Sequence, residues 1–94
     1  MAEMKTQQTR ENAEILALEG LGWLAGREED LRRFLDQSGM DAGGLRASAG
    51  RPETGMAVLD FLLANEDLLL EFCESAAIEP KALHLARHRL DGAG

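Results

Sequence analysis

Leucine and other apolar residues recur at intervals of three and four along most of the chain, punctuated by glycine, proline and short acidic runs. Residues three and four apart share one face of an α-helix, so this pattern predicts helices and no strands. Ile15, Leu18, Leu21, Leu24 and Ala25 form the first stripe, predicting a helix over about residues 10–25 with Thr9 as its cap and Gly26 as its stop. Gly20 and Gly22 lie inside it. Each costs about 1 kcal/mol relative to alanine, which points to close approach of another helix there. The acidic run "EED" opens a second helix from Glu28 to Ser38, carrying Leu31, Phe34 and Leu35, and Gly39 ends it by entering the left-handed conformation without a Cβ penalty. Asp41 caps a short third helix reaching towards Gly50 and weakened by Gly43 and Gly44. Pro52, at a first helical position, starts a fourth helix bearing Met56, Leu59, Leu62 and Leu63. Asn65 caps a fifth, "EDLLLEFCESAA", and Glu79 and Pro80 begin a sixth that ends near Leu90. Residues 1–8 are expected to be frayed and 91–94 a flexible tail.

Shifting the chain by 38 positions lays residues 21–49 on residues 59–87 without a gap. Leu21, Leu24, Glu28, Leu31, Phe34 and Leu45 then meet identical residues, and Trp23 meets Phe61. Punctuation aligns as well: Gly26 with Ala64, Gly39 with Ala77, Asp41 with Glu79, and Ala42 with Pro80. Agreement of core positions with caps and stops reads as two tandem helix-turn-helix-like repeats. The expected fold is an all-α compact bundle of five or six short helices in one domain over residues 1–94. Two small cores are expected, one of Leu31, Phe34, Leu35, Met40 and Leu45, the other of Leu69, Phe72, Cys73, Ile78 and Leu83.

Composition agrees with helices, because one Trp, three Phe and no Tyr leave little of the aromatic content that sheets favour. Charge narrows the function. The net charge is −7, and residues 1–80 carry seven Lys/Arg against sixteen Asp/Glu. Such a body repels phosphate backbones. Only residues 81–94 are basic, and there Lys81, His84, Arg87 and Arg89 would supply nucleic-acid contacts if the second helix-turn-helix read DNA or RNA. The equivalent helix of the first unit, "DAGGLRASAG", has one Arg and two glycines among its first residues, too little reach for that role. Cations near a helix C-terminus also complement its dipole, so nucleic acid is the alternative reading and not the leading one.

No cofactor, metal or catalytic residue is assigned. His84 and His88 lie four apart with Asp91 three further on, but structural zinc usually takes four protein ligands, and the sole cysteine, Cys73, falls on the apolar stripe of the fifth helix. Phosphate loops, nucleophile elbows and HExxH motifs are absent from the sequence. A single cysteine, no basic-apolar leader and no long apolar run lead to the expectation of a cytoplasmic protein away from membranes. One difference between the units suggests a contact surface: Asp30 and Arg32 become Leu68 and Leu70, widening the apolar face of the fifth helix. Leu68 and Leu70 are thus the candidate patch for a homodimer or another protein, unless the monomer covers them itself.

The stretches "LAGREEDLRRFLDQSGMDAGGLRA" and "MAVLDFLLANEDLLLEFCESAAIEPKAL" resemble a family of short alphaproteobacterial proteins known only as domain of unknown function 3572. The resemblance runs from about Asn12 to Leu90 and rests on packing and capping positions. It implies a small helical cytoplasmic protein and carries over no activity or catalytic residue. The resulting functional expectation is a non-catalytic protein-interaction module.

Overall fold

The computed structural model describes residues 10–92. The expected cap at Thr9, the frayed start at 1–8 and the last two tail residues lie outside that range. Six helices follow one another: α1 (Arg10–Ala25), α2 (Glu28–Ser38), α3 (Ala42–Ala47), α4 (Pro52–Ala64), α5 (Glu66–Ala76) and α6 (Pro80–Gly92), with no strand among the described residues. Helix α3 stops short of Gly50, and α6 absorbs Asp91 and Gly92 from the expected tail.

The centre is a mutual packing of α1, α4 and α6, with α2 laid against α1 and α4, and α5 against α4 and α6. What brings α1 and α4 together is an absence of side chains. A Cβ at Gly20 would stand 3.2 Å from Val58 Cγ1 and 3.3 Å from Leu62 Cδ1, and one at Gly55 only 3.1 Å from Ala17 Cβ. This corrects the expected face of α1. Its buried residues are Ala13, Leu16, Ala17, Gly20 and Leu24, while Ile15 and Leu18 are 49% and 48% exposed. Apolar residues surround α1 on nearly all sides, so their spacing selects no face; the small residues do, by letting another backbone approach. Gly22 behaves differently, since nothing lies within 4 Å of the Cβ it lacks.

The clusters of the two units join in one core. Phe34 and Phe72 are both buried, and each takes its ring partner from the other half of the chain. Trp23 meets Phe72 edge-on with centroids 5.5 Å apart, and Phe61 meets Phe34 in the same manner at 5.3 Å. The two pairs exchange under a shift of 38 residues. Arg27 with Glu71 and Asn65 with Arg33 exchange likewise.

Helix ends follow elementary chemistry. Gly39 stops α2 in the left-handed region at φ 78°, and its N–H donates to the Leu35 carbonyl. Ala77 stops α5 in the same region at φ 59°, a conformation that costs a residue with a Cβ roughly 1–2 kcal/mol. Asn65 precedes α5 but does not cap it with its side chain; its amide donates to the Phe61 carbonyl and its oxygen accepts from Arg33.

Truncating either buried ring, F34A or F72A, is expected to lower unfolding free energy by about 3–5 kcal/mol in urea titrations followed by circular dichroism. The glycines should split by sign: G22A gains about 1 kcal/mol from helix propensity, whereas G55V loses about 1–3 kcal/mol because Ala17 offers a methyl that cannot swing away. Equal effects at both positions would contradict the crossing.

Candidate functional site

An apolar trough follows α1 from Glu14 to Ala25, in two adjoining parts. The larger, about 250 Å³, lies between Leu21 and Ala25 of α1, Leu31 and Leu35 of α2, and Leu45 and Arg46 of α3. The smaller, about 60 Å³, opens where Leu18 of α1 faces Arg51, Pro52 and Thr54. Leu21 and Ala49 line both, so the two lie side by side.

The trough exists because α3 is short. It has 6 residues, whereas α6 has 13 and packs along both α1 and α4. As a result Leu21, Leu31 and Leu35 are only half-buried, while Leu59, Leu69 and Cys73, each 38 residues further on, are buried. A chain of hydrogen bonds holds the α3 wall in place. Asp41 Oδ1 accepts from the Gly44 N–H at 2.6 Å, a side-chain cap on the first turn of α3. Ser48 Oγ donates to the Gly44 carbonyl at 2.9 Å and accepts from Thr54 Oγ1 at 2.8 Å, so a buried hydroxyl of α4 is satisfied by the end of α3.

Four of the eight arginines are held by carboxylates among the described residues, and Arg32 and Arg89 are among those that are not. Arg27 spans Asp30 and Glu71 and lies 4.4 Å over the Trp23 ring; Arg33 holds Asp67; Arg87 holds Asp60 at 2.6 Å and reaches Asp91 at 3.8 Å; Arg10 holds Glu14. Hydrogen bonding to Asp30 pushes the Arg27 guanidinium pKa up, and that to Asp60 does the same for Arg87. Arg46 and Arg51, on the trough, have no ion pair among the described residues.

The residues singled out in the sequence do not converge. Leu68 is 2% exposed and belongs to the core, so it cannot form a docking patch with Leu70, which stands 51% exposed by itself. Lys81, His84 and Arg89 lie exposed on α6, but Arg87 is engaged by two carboxylates and is not free for phosphate. Among the described residues no group of three metal-binding side chains occurs, and no helix is long and apolar enough to cross a membrane. Cys73 is buried, and burial pushes its thiol pKa up. What the residue pattern did not disclose was the trough. Its only trace is the pair of glycines in the third helix, whose shortness leaves Leu21, Leu31 and Leu35 uncovered.

The sequence match extends over the whole helical body. The chain belongs to the DUF3572 family of proteins of unknown function. Its residues 10–93 match the family model, spanning all six helices. No curated protein and no solved structure matches the chain. Membership thus fixes kinship without fixing chemistry.

The raised thiol pKa predicts a pH dependence. Below the thiol's unfolded value near ~8.5 both states hold the proton and stability is unaffected; above it the unfolded chain releases the proton first, so stability falls as pH rises. Urea midpoints measured between pH 7 and pH 10 should decline more for the native chain than for C73A, and thiol reagents should label the native protein at its opening rate.

Proposed function

We propose that this DUF3572 protein is a non-catalytic protein-interaction module whose contact surface is the trough along α1. The supporting observation is the half-burial of Leu21, Leu31 and Leu35 around a 250 Å³ groove, where the residues 38 positions further on, Leu59, Leu69 and Cys73, are buried. An apolar groove between helices is the usual seat of a partner helix, whose own leucines would complete the shell. The reciprocal aromatic pairs and matching left-handed stops support an origin by duplication, in which the short α3 of the first unit leaves open what α6 closes in the second. A lone buried thiol suits a reducing compartment and supports a cytoplasmic setting.

Nucleic-acid binding through Lys81, His84 and Arg89 is the weaker reading. Its fourth contact, Arg87, is held by Asp60, and the acidic remainder of the surface opposes phosphate.

Benzoylphenylalanine placed at Ala25, on the trough, should crosslink discrete partner proteins in living cells. The same probe at Glu74, on α5, should not. Equal yields from both sites would sink the proposal. A parallel titration at low salt should detect no binding to duplex or single-stranded DNA.

A further inference from the structure

The trough is apolar at its floor and cationic at its rim. Leu21, Leu31, Leu35 and Leu45 provide the floor. Arg46 borders the larger part and Arg51 the smaller, both exposed and neither paired with a carboxylate among the described residues. The one carboxylate at the trough, Glu14, is occupied by Arg10. On a chain of net charge −7, four arginines are matched by Asp or Glu among the described residues, and of the four that are not, Arg46 and Arg51 stand beside the half-buried leucines of the trough, which gives this surface a local reversal of sign.

Resting on the interaction reading above, we infer that the partner is an acidic amphipathic helix: leucine-like side chains on the face that enters the trough, and Asp or Glu along the edge that meets Arg46 and Arg51. The trough follows α1 over twelve residues, a length of roughly 16 Å, which three turns of a partner helix would cover. Charge complementarity of this kind fixes orientation and rejects wrong partners. It also works against basic helices only locally, because everywhere else the acidic surface would attract them. Helix α5 of a second copy is a poor occupant, because it commits Leu68, Leu69 and Phe72 to its own core and offers Leu70 alone.

The test uses the full chain and two synthetic helical peptides of about fifteen residues, with leucine at positions i, i+3, i+7 and i+10, differing only in whether the flanking residues are glutamate or lysine. Nuclear magnetic resonance titrations are expected to show the glutamate peptide perturbing the amides of Ala25, Leu35 and Ala49. Its affinity should fall with added salt and drop about three- to tenfold in R46E/R51E, a variant changed only at exposed positions. The lysine peptide should bind the native trough more weakly and gain in R46E/R51E. If the lysine peptide occupies the native trough as well as the glutamate peptide does, the charge assignment is overturned while the trough remains a docking site. If neither peptide perturbs those amides, or sedimentation shows the chain itself filling the trough as a dimer, both inferences fall.

Discussion

Everything in this fold is arranged around the closeness of α1 and α4. Gly20 against Val58 and Gly55 against Ala17 bring two helix backbones nearer than side chains of ordinary size would allow. That approach buries Leu24, Val58, Leu59 and Leu62 completely and leaves α6 a seat across both helices for Leu83, Ala86 and Leu90. Interiors packed at crystal density tolerate little added volume, so the rest of the bundle inherits its geometry from this crossing. The outward turn of Ile15 and Leu18 follows from it too, because α1 can present only one side to α4.

Around that crossing the aromatic residues act as ties between the halves. Trp23 reaches Phe72, Phe61 reaches Phe34, and Arg27 closes over Trp23 while holding Glu71. Edge-on ring pairs of this kind contribute about 0.5–1.5 kcal/mol beyond their burial. The ion pairs involve groups that are mostly exposed, so they set the docking angle of α2 and α5 more than they stabilise the fold.

Much of this was legible in the residues. Helix limits followed from Pro52, Gly39 and the acidic run at Glu28, because caps and stops are local chemistry that one strand of sequence carries in full. Phe34 and Phe72 as buried positions were equally plain. The face of α1 was not. Its apolar residues are spread round the helix, and only a partner in three dimensions decides between a leucine stripe and a stripe of small residues. For the same reason Leu68 and Leu70, two apart on α5, looked alike, although one enters the core and the other faces water. The trough was hidden because it is made by a missing length of helix, and an absence has no residue to announce it. That Leu21, Leu31 and Leu35 line it could be seen only once α3 ended at Ala47.

The short wall has a mechanical implication. A helix of 6 residues is far below the length at which helices persist unaided, so α3 keeps its shape through Leu45, the Asp41 cap and the Ser48 to Thr54 hydroxyl link. Neither glycine of the crossing lies on α3, and Leu45 is its one buried residue, so little core is lost when α3 opens. One side of the groove is therefore compliant and the other rigid, like a vice with a single sprung jaw, and the partner proposed for it would meet one wall that yields and one that holds.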